Sequence, residues 1–118
     1  MEKQKYIMKA VDWAKKRGFS GIKANHEEFE TPTQFSKPNE DQPFIPDITG
    51  RKRNKKVYIE IAMKTDNIRR RVTKWKLLST LAAIKGGKFF LMTPHGHKAF
   101  AERIVDKHNL NAKLVYLR

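Results

Sequence analysis

The stretch FIPDITGRKRNKKVYIEIAMK, residues 44–64, decides the fold. Its second half has the cleanest alternation in the chain: Val57, Ile59, Ile61 and Met63 face one way, and Tyr58, Glu60, Ala62 and Lys64 face the other. A period of two predicts a strand with one face on a core and the other carrying Glu60. Residues 44–50 form a shorter apolar run that contains Pro46, which predicts an edge position, a bulge or a late strand start. RKRNKK, residues 51–56, is a polar, Asn-containing turn between the two runs, so the whole stretch should fold back as a hairpin.

Upstream of the hairpin, Tyr6, Ile7, Ala10, Val11, Trp13 and Ala14 recur at helical spacing over residues 2–17, and Gly18 supplies the stop. Residues 19–29 read as a strand. Residues 30–43 hold three prolines and many turn formers, a loop longer than most connections inside a compact domain. Downstream, Thr65 or Asp66 can cap a helix running to about Ile84, with Ile68, Val72, Trp75, Leu78 and Leu81 or Ala82 as its apolar stripe. Gly86 and Gly87 end it. KFFLMT, residues 88–93, is continuously apolar apart from its ends, as a strand buried on both faces should be. Residues 94–108 predict a third helix, with Phe100 and Ile104 inward, and residues 112–118 a last strand. The predicted order is αβββαβαβ over a single domain, residues 1–118. This is an α/β fold: a mixed β-sheet flanked by helices on both faces.

Charge limits the partners. The chain has 118 residues with 26 Lys+Arg against 12 Asp+Glu, a net charge of +14. A field of that sign concentrates polyanions, and nucleic acid is the partner it favours, since neutralised phosphates release counterions. Absence of cysteine excludes disulfides, thiolate metal sites and cysteine nucleophiles, and suits a reducing compartment. No apolar run approaches the ~18 residues of a membrane span, and the N-terminus lacks a signal peptide's apolar core. The expected location is cytoplasmic.

Two acids stand out within the hairpin. With the turn centred near Arg53 and Asn54, position 47 lies opposite roughly position 60, where cross-strand Cβ atoms are about 4.5–5.5 Å apart. Asp47 and Glu60 so placed repel each other unless a cation lies between them, and paired carboxylates with water ligands hold Mg²⁺. Such a metal activates water and stabilises a phosphodiester transition state. Taken singly, Glu60 also fits a solvent-facing strand residue, and Asp47 a hairpin residue satisfying nearby backbone donors.

The Pro46-Asp47 pair, the hairpin, the acid of VYIEIAMK and the helix after it resemble the PD-(D/E)XK nuclease superfamily, whose fold is restriction-endonuclease-like. The helix and strand around KAVDWAKKRGF, and the two glycines before the buried strand, look like its archaeal and phage Holliday-junction resolvase branch. The resemblance in element order covers nearly the whole chain, whereas the motif is short and permissive. It implies an endonuclease hydrolysing DNA phosphodiester bonds with Mg²⁺ or Mn²⁺, with Asp47 and Glu60 as metal-binding carboxylates. Junction-cutting relatives are usually dimers, so it also implies a homodimer. The family's catalytic lysine would fall at position 62, which is Ala62 here. Lys64 shares the strand parity of Ala62 but starts about 6.6 Å further on. It is the preferred substitute and therefore the third expected catalytic residue; Lys74, two turns into the following helix, is the other candidate. A third metal ligand would come from Glu28, Glu30 or a backbone carbonyl near Ile61.

Basic residues fall into two groups. Arg69, Arg70 and Arg71, with Lys74 and Lys76, line the polar side of a helix that starts beside the acids, and are the better candidates for DNA phosphate contact. Arg51, Lys52 and Arg53 occupy the hairpin tip and are the second group. Trp75 and Trp13 read as core, and His95-Gly96-His97 as a polar turn rather than a metal site. Two further readings compete with the nuclease: a nucleic-acid-binding module on the same fold without catalysis, motivated by Ala62, and a small basic interaction subunit whose acids are structural.

Overall fold

A computed structural model describes residues 2–117. Its element order is α1 (Glu2–Lys16), β1 (Ser20–Ala24), β2 (Ile48–Lys52), β3 (Lys55–Ile61), α2 (Ile68–Ile84), β4 (Lys88–Thr93), α3 (Lys98–His108) and β5 (Lys113–Tyr116). The order αβββαβαβ is the predicted one. One five-stranded sheet has the spatial order β1-β2-β3-β4-β5. The first three strands pair antiparallel, while β3–β4 and β4–β5 are parallel. Both parallel links step the same way across the sheet, so right-handed crossovers place α2 and α3 on one face and leave the other to α1.

The hairpin joins Ile48–Lys52 to Lys55–Ile61 through two residues, Arg53 and Asn54, both at positive φ (53° and 65°). A two-residue turn of this kind matches strand twist only when both residues are left-handed, and asparagine tolerates that backbone best among non-glycine residues. The alternation of β3 sorts its side chains as expected. Val57, Ile59 and Ile61 join Ile7, Val11 and Ala14 of α1 in one cluster. Tyr58 and Ala62 join Val72, Trp75 and Leu78 of α2 in the other, with Phe100 and Ile104 of α3.

The three helices α1, α2 and α3 end in the same way. Gly18, Gly86 and Asn109 adopt positive φ just past the last turn. Phe19, Gly87 and Leu110 then donate backward five residues, to the carbonyls of Ala14, Ala82 and Val105. This pairing satisfies carbonyls that a helix end otherwise leaves exposed. The second glycine of the pair has a further reason. A Cβ on Gly87 would lie 1.7 Å from the Lys56 carbonyl oxygen, so only glycine lets β4 begin against β3.

Several boundaries differ from the predicted ones. The first strand stops at Ala24 because Asn25 to Phe29 turn instead, with Phe29 donating to the His26 carbonyl at 3.0 Å. Of the alternatives raised by Pro46, the late start holds: β2 begins at Ile48, and Phe44 forms an isolated bridge with Phe35. Asn67, not Thr65 or Asp66, caps α2 through its side chain, which accepts from the Arg70 amide at 3.3 Å. Ile68, the first residue of α2, is half exposed rather than part of the stripe. The third helix starts at Lys98, after a turn in which His97 donates to the Pro94 carbonyl. Arg118, in the predicted last strand, lies outside the described residues. Among the described residues no helix is long and apolar enough to cross a membrane.

The Gly87 contact yields a direct test. Gly87→Ala is expected to destabilise the chain by about 3 kcal/mol, the upper range for overpacking a site that cannot give, because the obstruction is backbone. Urea unfolding measures it; a midpoint unchanged from wild type would mean that the two strands do not approach as described.

Candidate metal and phosphate site

Register brings the two hairpin acids together. Ile48 pairs with Ile59, so the next rung outward sets Asp47 opposite Glu60. Both are almost wholly buried, each 1% exposed. Their contact is reciprocal: the Asp47 amide donates to Glu60 Oε2 at 2.7 Å, and the Ile61 amide donates to Asp47 Oδ2 at 2.9 Å. Asp47 is held from the other side too, since its carbonyl accepts from the Asn25 amide at 2.8 Å. One oxygen of each carboxylate is thus fixed by backbone, leaving Asp47 Oδ1 and Glu60 Oε1 to face cations.

Two lysines from opposite layers meet those oxygens. Lys74 Nζ, from α2, lies 3.0 Å from Glu60 Oε1 and 3.9 Å from Asp47 Oδ1. Lys3 Nζ, from the first turn of α1, lies 2.9 Å from Asp47 Oδ1. Lys3 approaches off the hydrogen-bonding direction, so Oδ1 is ion-paired yet has no hydrogen-bond donor. A buried anionic oxygen without a donor is costly, and a coordinated cation would satisfy it.

The proton affinities follow from this crowding. Burial, then the neighbouring Asp47 charge, push the Glu60 carboxyl above its ordinary range against the pull of Lys74 and Lys3. For Lys74 burial works against the ammonium, but Glu60 and Asp47 together outweigh it and raise its pKa above the usual 10.5. At neutral pH Lys74 is therefore an ammonium, able to donate and to stabilise negative charge but not to act as a base.

Lys3 and Lys74, which meet the pair, also border a cleft of about 190 Å³ together with Phe44, Ile45, Thr65, Asn67, Arg70 and Arg71, while the acids themselves do not line it. Its lining is cationic on several sides, which suits a phosphate. Arg71 donates to the Met63 carbonyl and lies over the Trp75 ring. Arg70 donates to the Pro43 carbonyl at 2.7 Å and the Gln42 carbonyl at 3.3 Å, and stacks over Phe44. With Arg69 it also pairs with Glu40. These arginines fasten the long loop to α2, which the sequence assigned to phosphate contact alone. Arg69 and Lys76 remain exposed on the same helix.

Lys64 is not where strand parity put it. Strand β3 ends at Ile61, and the Met63 amide turns back to the Ile61 carbonyl. The Lys64 amide then donates to His97 Nδ1 at 2.9 Å, and its side chain is exposed, with no ion pair to either acid. Lys74, the other candidate, is the one of the two that lies against the acids. Sequence reasoning missed Lys3, because nothing local in α1 signals a partner in the hairpin. His97 is a structural acceptor, consistent with the polar-turn reading. Glu30 pairs with Lys23 at 2.8 Å, and the Glu28 amide bonds His26, so neither is seen against Asp47. Arg51 and Arg53 are exposed at the opposite end of the hairpin, and Lys52 packs over Phe19.

Among the described residues no group of three or more His, Cys, Asp or Glu is gathered to hold a metal. Two carboxylate oxygens converging on one cation position nevertheless match how Mg²⁺ is bound, through one or two carboxylates with water and substrate phosphate completing the shell. Comparison with protein-family models, with curated proteins and with solved structures found no match.

Removing the ammonium tests the electrostatics. Lys74→Met leaves Glu60 buried without its nearest cation, and a loss of about 3 kcal/mol is expected in urea unfolding at pH 7. Because the folded pKa of Lys74 is raised, its contribution is complete below 10.5 and is lost as pH climbs through the folded value. Between pH 9 and 11.5, roughly, wild type should therefore lose more stability than the Met variant. Parallel curves would show that Lys74 is not coupled to the acids.

Proposed function

We propose that the protein is a Mg²⁺- or Mn²⁺-dependent endonuclease that hydrolyses DNA phosphodiester bonds. The observation that carries this reading is the buried Asp47–Glu60 pair, whose two remaining oxygens both face the Lys74 ammonium, itself on the border of a cationic cleft. The resemblance of Pro46-Asp47, the hairpin and the acid of β3 to the PD-(D/E)XK superfamily supports it independently. Asp47 Oδ1 and Glu60 Oε1 would hold the ion; bound there, it would acidify a water and neutralise charge on the scissile phosphate.

The chain's own groups supply the rest. Reciprocal backbone hydrogen bonds fix both carboxylates before any ligand arrives, which removes a reorganisation cost at the moment of reaction. Lys74, permanently charged and lodged against both acids, takes the lysine role in place of Lys64 and stabilises the charge that develops on the phosphate. Lys3, Arg70 and Arg71 border the cleft and offer further donors to phosphate oxygens. Exposed Arg69 and Lys76 extend the positive surface along α2 for the flanking backbone.

One observation favours a second reading. Lys3 and Lys74 already pair with the oxygens a metal would use, at 2.9 and 3.0 Å. Two ammonium groups can neutralise two carboxylates unaided, and the domain would then bind nucleic acid without cutting it.

Cleavage assays on supercoiled and four-way-branched DNA with Mg²⁺ or Mn²⁺, beside calorimetric metal titration, separate the two. Under the nuclease reading Asp47→Asn and Glu60→Gln abolish both cleavage and metal affinity. Lys74→Met lowers cleavage on the order of 100-fold, while Lys64→Ala stays within about twofold because its side chain touches nothing in the site. A wild-type protein that binds these DNAs but never nicks them with either metal would establish the non-cutting module.

A further inference from the structure

At the other end of the sheet lies a larger groove of about 660 Å³ that the carboxylate site does not use. It forms beside the end of α1, where Trp13 of that helix reaches Phe90 of β4 and Val115 of β5 is only partly buried. The floor is aromatic and aliphatic. Trp13 stands edge-on to Phe19 at 5.6 Å and to Phe90 at 5.2 Å, with Val115 beside them in the same cluster. The rim is cationic: Arg17, Lys52, Arg53, Lys55, Lys88 and Lys113. No carboxylate lines the groove, and among the described residues none of these six forms an ion pair with an acid.

Two contacts show how charge and ring are combined. The Arg17 guanidinium lies 4.9 Å from the Trp13 ring centroid, and Lys52 Nζ is 5.4 Å from that of Phe19. A cation held over a ring keeps its charge available to a phosphate and, for arginine, presents a flat face on which a base can stack. The chain accepts a cost to keep this end positive. Across the hairpin, Lys56 is pushed below its ordinary value by burial first, then by repulsion from Arg51, Lys85 and Lys23, with no acid to relieve it. Lys55, on the groove's rim, and Glu60 are separated by the run of β3, about 16 Å at strand rise, so the groove and the carboxylates cannot contact one nucleotide together.

We propose that this groove is a second nucleic-acid site, and that its occupant is single-stranded. A duplex presents phosphates and closed base stacks, which a rim of lysines would satisfy without any need for Trp13 and its neighbours. Unpaired bases offer the π-faces and apolar edges that the floor matches, and successive phosphates meet the rim. The inference rests on the groove's composition and not on whether the carboxylate site cuts.

Its test is metal-free binding of a short oligothymidylate to the full chain, read by fluorescence anisotropy and by tryptophan emission. Trp75 has Arg71 of the carboxylate cleft over its ring, so the emission change is assigned to Trp13 by its loss in Trp13→Phe. Expected are quenching of that emission and about a tenfold loss of affinity in an R17E/K113E variant with an unchanged melting curve. A duplex of the same length should compete poorly. Binding is read without metal, so the outcome does not depend on whether the carboxylate site cleaves. Unchanged affinity in the charge-reversed variant, or no response of Trp13, would overturn the site. Equal competition by duplex would overturn the single-stranded assignment.

Discussion

The register of the β2–β3 hairpin is the constraint on which the rest depends. Two left-handed residues at its tip, Arg53 and Asn54, count the rungs so that Asp47 arrives opposite Glu60 at the far end. A slip of one residue would turn Glu60 into the apolar cluster of α1 and move Ile59 or Ile61 to the face of α2. It would also break both carboxylate–amide hydrogen bonds, which exist only in this pairing. The apolar alternation and the acid pair therefore select the same register, and each protects the other.

Burying two acids side by side is affordable only because both helical layers contribute a cation. Lys3 comes from α1 on one side of the sheet and Lys74 from α2 on the other. Neither helix alone neutralises the pair. The consequence is mechanical as well as electrostatic: through the acids, α1 and α2 are tied to the same rung of the hairpin. At the opposite end cations lie over rings instead, Arg17 over Trp13 and Lys52 over Phe19.

Legibility in the sequence followed the range of each interaction. The order of elements, the hairpin and the opposition of Asp47 and Glu60 were all readable, because periodicity and turn chemistry act over a few residues. Helix ends were marked by Gly18 and Gly86, although the cap at Asn67 was displaced from the residues that propensity favoured. Lys64 leaves the strand face that parity gave it for a definable reason. Counting by twos from Glu60 holds only while the chain stays extended, and β3 stops at Ile61, three residues before Lys64. Lys3 was illegible, since its meeting with Asp47 depends on how α1 lies across the sheet. The long loop was visible as a loop, but its attachment to Arg70 was not, because an arginine that binds carbonyl oxygens has the same sequence signature as one that faces solvent.

That attachment has a bearing on the conditions under which the protein keeps its shape. For a chain with a net charge of +14, ionic strength is the variable that most changes how its exposed charges are screened. Had the loop been moored only by the pairing of Glu40 with Arg69 and Arg70, added salt would loosen it. The carbonyls of Gln42 and Pro43, and the Phe44 ring under the same guanidinium, are neutral partners in a partly dry setting. Screening weakens such contacts far less than exposed ion pairs. The wall of the cleft is thus built to stay in place as ionic strength rises.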